Sequence, residues 1–391
     1  QIYNVQTGVI SQWRKELMAK KVLQMANKAG KIDLKKIQKL VNKKTGMNVA
    51  HDLTEDNPTQ VKEWIPTGSR WLDSIICRGH KAGIPVGKIT EIAGLPSAGK
   101  SFLAVQIAAN AQRMGLFVVY FDAESAIDPS FLEAAGCDLT NLLYVQAVSV
   151  EKVLETIEEL MDSYEDQRFL FVWDSIAATS SEKEIESDYN PQSTMSVKPR
   201  IFGKAFPKLT IPLADRQCTL LLINQLKTNI NPRNPMAALV TPYIAPGGKA
   251  IEYFSSLRIW LTKRKSKASF ITDGTGLRIG SEVKVKLEKS RFGTEGRECT
   301  FKILWSGGAA IQDKESWLTA LKASGTSRLT VAGSWYTLTS SSGKTFKFQS
   351  KDWLIKLGNG EFKQAVFDIM DEEIVKKFVD EGKNFPVGKE E

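Results

Sequence analysis

The chain has 391 residues, of which 42% are hydrophobic and 25% charged, a composition typical of folded globular proteins. Disorder throughout the chain is therefore excluded. The formal net charge of +9 arises in the first 50 residues, which hold 11 basic and 2 acidic residues, whereas the remaining 341 residues are balanced. A net charge of this size would suggest a polyanionic partner, but the excess is confined to one N-terminal arm. Any nucleic-acid surface farther along the chain must therefore be a local patch.

Cysteine and histidine usage limits the chemistry further. The four cysteines are Cys77, Cys137, Cys218 and Cys299. They include no C-x-x-C pair, which argues against a zinc site or a disulfide framework and favours a reducing, cytoplasmic location. With only two histidines, His51 and His80, acid–base chemistry must depend on carboxylates. The apolar runs are far shorter than the roughly 18 to 20 residues of a membrane span, so we expect no membrane insertion.

Apolar residues at helical spacing predict two helices in the basic N-terminal region, over residues 9–28 and 34–41. Residues 55–60, which contain an Asn-Pro pair, are typical of a linker. We assign residues 1–61 to this basic helical arm, which would serve oligomerisation, and its linker.

From residue 62 onward, short β-branched and aromatic runs alternate with helical patterns, as in buried parallel strands separated by helices. The runs lie at 88–92, 117–122, 142–145, 169–174, 219–224, 257–262 and 282–288. We therefore predict an α/β domain with a mostly parallel central sheet over 62–305. A small C-terminal α+β domain is expected over 306–391, with helices over 315–323, 350–357 and 362–379 and a hairpin over 334–348.

A glycine-rich phosphate-binding motif, GLPSAGKS, lies between the strand pattern GKITEIA and the helical pattern FLAVQIAANAQRM. Glycines let backbone N–H groups surround a triphosphate, and the start of the helix adds its positive end. Lys100 is expected to reach the β- and γ-phosphates of ATP, and the Ser101 hydroxyl to ligate Mg²⁺. The predicted nucleotide-binding residues of this P-loop are Gly94, Leu95, Pro96, Ser97, Ala98, Gly99, Lys100, Ser101 and Phe102.

An ATPase also needs a carboxylate that orients the metal and a base that activates water. Asp174 ends the apolar run FLFVW and is the predicted second carboxylate for Mg²⁺. Asp122 and Glu124 end another strand, and either could polarise the attacking water. Their spacing alone does not choose between them.

Six sequence blocks carry a likeness to a known family. In chain order they are IPTGSRWLDSIICRGHKAGIPVGKITEIAGLPSAGKS, YFDAESAIDPSFLEAAG, FLFVWDSIAA, LLLINQLK, PGGKAIEYFSSLRI and GSEVKVKLEKSRFG. Together they resemble the RecA-type recombinases of bacterial RecA and phage UvsX type. The resemblance covers about residues 64–305 and implies a RecA-type P-loop ATPase core.

The resemblance implies roles for further residues. Glu124 matches the residue that activates the attacking water, and Gln225 matches a γ-phosphate sensor whose movement reorganises the following loop. Asp128 would contact the adenine edge, with Phe131 against the base. Lys289 and Arg291 match two basic positions that reach the nucleotide of the neighbouring subunit. The second is lysine in bacterial members, and a guanidinium presents its charge with a different geometry.

Two long stretches interrupt the alternation of strands and helices, at about residues 182–199 and 227–249. The resemblance implies that these are loops that contact DNA along the axis of a filament. Contacts to the phosphate backbone and wedging between bases would be neutral to sequence. The implied DNA-binding residues are Met195, Lys198, Arg200, Lys227, Ile230, Gly247 and Gly248.

The resemblance thus implies a DNA-dependent ATPase that forms a helical homo-oligomeric filament on single-stranded DNA and exchanges strands with double-stranded DNA. Single-strand-binding and loader or mediator proteins would be its partners, in the cytoplasm of a bacterial or phage-infected cell. A RecA-fold ring helicase or translocase and a mediator paralogue that does not exchange strands are the alternatives. The basic arm could dock on a neighbouring subunit or capture the incoming duplex.

Overall fold

The computed structural model describes residues 33–46, 49–55, 57, 60–76, 80, 82–125, 127–187, 196–229, 242–263, 269–305 and 311–376. The chain divides into two compact units, residues 1–60 and 61–391. The helix predicted over 9–28 lies outside the described residues. Among the described helices, none combines the length and apolarity that crossing a bilayer requires.

In the first unit, helix α1 (Leu34–Thr45) extends beyond the predicted residues 34–41. Asp33 caps its N-terminus by accepting a hydrogen bond from the backbone N–H of Lys36, and Gly46 ends it at a φ of 69°. The next segment is held by Asn42, whose side-chain oxygen accepts from the N–H groups of Val49 and Ala50. Local capping and turn bonds therefore define this unit as far as it is described.

The described part of the second unit is built on a ten-stranded sheet of order β14-β13-β12-β10-β3-β7-β6-β4-β5, with β11 paired to β12. Its parallel strands are β3 (Ile89–Gly94), β4 (Phe117–Asp122), β5 (Leu142–Gln146), β6 (Phe169–Asp174), β7 (Thr219–Gln225) and β10 (Leu257–Lys263). The antiparallel strands are β11 (Phe270–Thr272), β12 (Arg278–Ser290), β13 (Glu298–Leu304) and β14 (Ile311–Gln312). The predicted α/β class with a mostly parallel sheet is confirmed.

The run at 282–288 was wrongly grouped with the parallel strands, because it belongs to the antiparallel strand β12. Val283, Val285 and Leu287 are buried, whereas Lys284 and Lys286 between them are exposed. One face of this strand therefore meets solvent, as antiparallel sheets allow.

Helices cover both faces of the sheet. They are α2 (Arg70–Ile76), α3 (Lys100–Arg113), α4 (Pro129–Ala134), α5 (Val150–Ser163), α6 (Glu182–Glu186), α7 (Val197–Asp215) and α8 (Lys249–Phe254). Alternate residues of β7 enter separate cores, with Leu221 packing on the α3 side and Leu222 on the side of α5 and α7. Two short pairs, β1 (Trp64–Ile65) with β2 (Ile84–Pro85) and β8 (Lys227–Thr228) with β9 (Tyr243–Ile244), complete this part.

After β14, the chain forms α9 (Lys314–Ser324), a three-stranded sheet of β15 (Leu329–Ala332), β16 (Trp335–Thr339) and β17 (Thr345–Gln349), then α10 (Trp353–Lys356) and α11 (Gly360–Met370). The hairpin predicted over 334–348 corresponds to β16 and β17. Helix α11 ends earlier than predicted and is followed by a single π-helical turn, Asp371–Val375. The rings of Phe348, Trp353 and Phe362 pack together with centroids 5.3 to 5.5 Å apart.

Candidate functional site

The P-loop connects β3 directly to α3, and two glycines make its path possible. A side chain at Gly94 would bring its Cβ to 2.9 Å from the carbonyl oxygen of Leu261 on the adjacent strand β10. Gly99 has a φ of +85°, and a Cβ there would collide with Cδ1 of Ile303. The loop thus needs glycine at the two positions where its motif has one.

The metal-binding groups predicted from the sequence lie together at the start of α3 and the end of β6. The Ser101 hydroxyl donates a hydrogen bond of 2.7 Å to Oδ2 of Asp174. Burial is the main cause that raises the pKa of Asp174, and the hydrogen bonds from Ser101 and Tyr120 oppose it. A hydroxyl beside a buried carboxylate suits the oxygen preference of Mg²⁺, whose charge would offset the burial cost. The residues present therefore fit this ion.

Lys100 and Phe102 both lie in the first turn of α3. The ammonium group of Lys100 donates to the carbonyl oxygen of Leu95, at 3.2 Å, within the P-loop itself. Phe131 meets Phe102 edge to face, with centroids 4.6 Å apart, so it lies beside the first turn of α3. The Asp128 carboxylate caps α4, and the hydrogen bonds from Ser130 lower its pKa. It lies at the start of the same helix as Phe131.

Asp122 and Glu124, which sequence spacing could not separate, have different surroundings. Asp122 is buried, and its carboxylate accepts from the backbone N–H groups of Glu124 and Ile127, at 2.9 and 3.1 Å. Glu124 is exposed, and its Oε1 accepts from the Ser175 hydroxyl at 2.9 Å and from Nε2 of Gln225 at 3.0 Å. Asp122 therefore holds the loop, while Glu124 is presented at the surface together with Gln225.

Sequence reasoning missed a buried polar network behind Gln225. Glu91 on β3 is completely buried, and it accepts from Nε of Arg258 at 2.5 Å and from the Asn224 amide at 2.7 Å. The same Asn224 amide donates to the carbonyl oxygen of Pro246 at 2.8 Å, and its oxygen accepts from the backbone N–H of Gln225. The available signal was a charged residue inside each of two apolar strands, Glu91 in ITEIAG and Arg258 in LRIWLTK.

Lys289 and Arg291 lie near the ends of the strands that are opposite to the P-loop. Register pairs Leu257 with Thr90 and Leu261 with Gly94, so Lys289, opposite Arg258, is near the start of β10. Lys289 donates to the carbonyl oxygens of Glu252 and Tyr253, and Arg291 donates to that of Tyr253 at 2.7 Å. Burial, followed by the charges of Arg291 and Arg258, lowers the pKa of Lys289. Both cations are thus held by the C-terminal carbonyls of α8.

The two stretches predicted as loops meet at their bases. Part of the first is helical, because α6 and the start of α7 lie within or beside residues 182–199. A cavity of about 180 Å³ is lined by residues of both stretches, including Lys198, Pro199, Lys227 and Gly247. A Cβ at Gly248 would lie 2.9 Å from that of Pro199, so the loop ends are in close contact. Met195 and Ile230 lie outside the described residues.

The basic residues of these loops differ in exposure. Arg200 and Lys227 are exposed, whereas Lys198 is half-buried and lies 3.5 Å from the Glu184 carboxylate. Glu184 also accepts from the backbone N–H of Ser181, closing the capping box of α6. Lys198 is therefore paired with an acidic side chain of the first stretch.

Comparison with known proteins identifies the family. The RecA N-terminal domain family matches residues 28–310. The chain is 31% identical to Protein RecA of Symbiobacterium thermophilum over 84% of this chain and 87% of that protein, and 33% identical to Protein RecA of Sulfurimonas denitrificans over 72% and 77%. It is also 32% identical, over 70% of its length and 56% of the relative's, to the mitochondrial DNA repair protein recA homolog of Dictyostelium discoideum. With the P-loop and the sheet order in place, these matches show that the chain belongs to the RecA family.

Proposed function

We propose that this protein is an ATP-dependent DNA recombinase that forms a helical filament on single-stranded DNA and catalyses homologous pairing and strand exchange. One observation carries the proposal. At the end of β7, Gln225 donates to Glu124, while the adjacent Asn224 donates to Pro246 at the end of the second loop. Two neighbouring residues thus connect the candidate catalytic carboxylate to the loop proposed to grip DNA.

In this proposal the P-loop residues 94–102 bind ATP, with Asp128 and Phe131 at the base. Lys100 exchanges the Leu95 carbonyl for the β- and γ-phosphates, which offer a stronger, charged acceptor. Ser101 and Asp174 would hold Mg²⁺, which would supply positive charge to offset that of the phosphates.

Glu124 is the proposed base, because its carboxylate is exposed and the Ser175 hydroxyl orients it. Gln225 acts as the γ-phosphate sensor. A γ-phosphate that competes for the Gln225 amide would break its bond to Glu124 and bias the second loop toward its DNA-binding state.

For DNA, we propose phosphate contacts from Lys198, Arg200, Lys227 and the Gly247–Gly248 backbone, with Met195 and Ile230 inserted between bases. The close approach of Gly248 to Pro199 supports one continuous surface made by both loops. Contacts of this kind read no base edges, so they suit a protein that must accept any sequence.

Lys289 and Arg291 are proposed to reach the ATP of the next subunit. Their distance from the P-loop of their own chain, set by the register of β10, supports action in trans. A head-to-tail contact of this kind is heterologous and generates an open helix unless its rotation closes. The partners of the filament would be double-stranded DNA, single-strand-binding proteins and loader proteins. The filament would form in the cytoplasm of a bacterial or phage-infected cell.

Strand exchange between circular single-stranded DNA and a homologous linear duplex, with ATP and Mg²⁺, tests the proposal. Lys100→Ala should abolish joint molecules and product, whereas the matched control Lys351→Ala, an exposed lysine of the C-terminal part, should not. Exchange at the wild-type rate by Lys100→Ala would refute it. Unwinding of a forked duplex without exchange would instead indicate a helicase.

Glu124→Gln separates the base from the binding residues. This variant should bind ATP and DNA but turn over ATP about 100-fold or more slowly, since general-base catalysis contributes roughly 10² to 10⁴. Steady-state ATPase measurements with and without DNA supply the rate. Undiminished turnover would remove Glu124 from that role.

A further inference from the structure

A buried phenol lies next to the carboxylate proposed to orient the metal. Tyr120, in the middle of β4, is completely buried, and its hydroxyl donates a hydrogen bond of 2.9 Å to Oδ2 of Asp174. The register of β4 and β6 pairs Tyr120 with Val172 and Asp122 with Asp174. The tyrosine therefore reaches diagonally across to the last residue of the neighbouring strand.

The Asp174 carboxylate thus receives two donors on one oxygen. Ser101 approaches Oδ2 from the P-loop helix at 2.7 Å and Tyr120 approaches it from within the sheet. Two donors from two different elements fix the rotation of the carboxylate about its Cβ–Cγ bond. This fixed rotation determines where its other oxygen, Oδ1, points.

The phenol is suited to this task because it cannot readily lose its proton. Burial, followed by the charge of Asp174, raises the pKa of Tyr120 well above its usual value. In this hydrogen bond the phenol is therefore the donor and the Asp174 carboxylate the acceptor.

We infer that Tyr120 is a positioning residue for the proposed Mg²⁺ site, holding the Asp174 carboxylate in one orientation beside Ser101. This inference rests on the proposed function, because it assumes that the P-loop binds Mg²⁺ and ATP. Tyr120 touches neither the nucleotide nor the metal in this scheme. It acts through Asp174 alone.

The test is Tyr120→Phe, a change that removes one oxygen and conserves the ring. The readout is nucleotide binding, not turnover: fluorescence anisotropy of a labelled, non-hydrolysable ATP analogue, titrated with Mg²⁺. Removing a partner that orients a metal ligand typically costs 10- to 100-fold in metal affinity. We therefore expect the Mg²⁺ concentration for half-maximal binding to rise about tenfold or more.

Tyr144→Phe is the matched control. Tyr144 is the register partner of Tyr120 on β5, and its hydroxyl lies 3.3 Å from Oδ2 of Asp122. The same oxygen is removed from the adjacent strand, so Tyr144→Phe should leave the Mg²⁺ dependence unchanged. An equal shift in both variants would overturn the inference, because the effect would then belong to the sheet in general.

A purely structural role would give a different result. Tyr120→Phe would then lower the thermal midpoint but keep the wild-type Mg²⁺ dependence, and this outcome overturns the inference. If Tyr120→Phe is not folded in buffer, the Mg²⁺ titration of this variant, of Tyr144→Phe and of the wild type is carried out in a stabilising osmolyte such as sucrose. A shift in Mg²⁺ dependence confined to Tyr120→Phe supports the inference, and unchanged Mg²⁺ dependence overturns it. A wild-type protein without Mg²⁺-dependent nucleotide binding would refute the proposed function itself.

Discussion

Glu91 and Arg258 form a buried ion pair in which each charge depends on the other, so the substitution of one partner should be costly. The Glu91 carboxylate has no solvent exposure. Arg258→Met would leave it with the Asn224 amide as its remaining hydrogen-bond donor among the residues that the structure describes. Breaking a buried ion pair by removing one partner costs about 3 to 5 kcal/mol, because an uncompensated charge remains in the interior. We expect a loss of that size in the free energy of unfolding.

The double variant Glu91→Gln with Arg258→Met supplies the control. With both charges gone, the buried cost of the single variant disappears, so the double variant should be more stable than Arg258→Met alone. Urea unfolding, followed by circular dichroism, gives the free energies of all four proteins of the cycle. A loss below about 1 kcal/mol for Arg258→Met would refute the reasoning, because it is the size expected of a solvated pair.

Three further predictions concern other parts of the molecule. Glu184→Gln keeps the capping box but removes the charged partner that lies 3.5 Å from Lys198. In salt titrations, this variant should therefore bind single-stranded DNA up to about fivefold more tightly. The control Glu182→Gln, on the same helix, should bind single-stranded DNA with the wild-type affinity. Gly99→Ala should lose about 1 to 2 kcal/mol of unfolding free energy, because residue 99 has a left-handed backbone conformation that alanine disfavours. The variant should also lose ATP binding. Calorimetry measures both effects. Burial raises the pKa of Cys137 to about 11, so its neutral thiol should stabilise the fold below the unfolded-state pKa of about 8.5 and lose that contribution as the pH rises toward the folded value. Cys137→Ala should accordingly show a smaller loss of stability between pH 8 and pH 10 than the wild type.

Local patterns in the sequence were sufficient to predict the glycine-rich turn between β3 and α3 and the carboxylate that lies beside it. The P-loop is contiguous, and Asp174 directly follows an apolar run that forms β6. The different surroundings of Asp122 and Glu124 required the structure, because they depend on which backbone N–H groups turn toward Asp122. The pairing of Glu91 with Arg258 joins residues far apart in the sequence, and no local pattern encodes such a partner.

Helix α7 forms even though its sequence contains Pro199, Pro207 and Pro212. Three prolines make its sequence a poor candidate for a helix, yet Val197–Asp215 is helical throughout. Pro199 lies in the first turn, where its missing N–H would have had no helical partner. Farther along, Phe202 and Phe206 are buried in the core on that side of the sheet. Tertiary packing outweighs the local cost of Pro207 and Pro212, a balance that propensity alone does not contain.

The bonds between α8 and the two cations have a thermodynamic consequence for assembly. Lys289 and Arg291 already have carbonyl partners in the isolated subunit, so reaching a neighbour's phosphates would be an exchange of partners and not a simple gain. The net driving force would then depend on how much more strongly a triphosphate attracts them than a carbonyl does. For the proposed assembly, linkage requires that any factor by which ATP tightens contact between subunits equals the factor by which that contact tightens ATP binding. A subunit of this design would exchange nucleotide readily when alone and retain it when it has a neighbour.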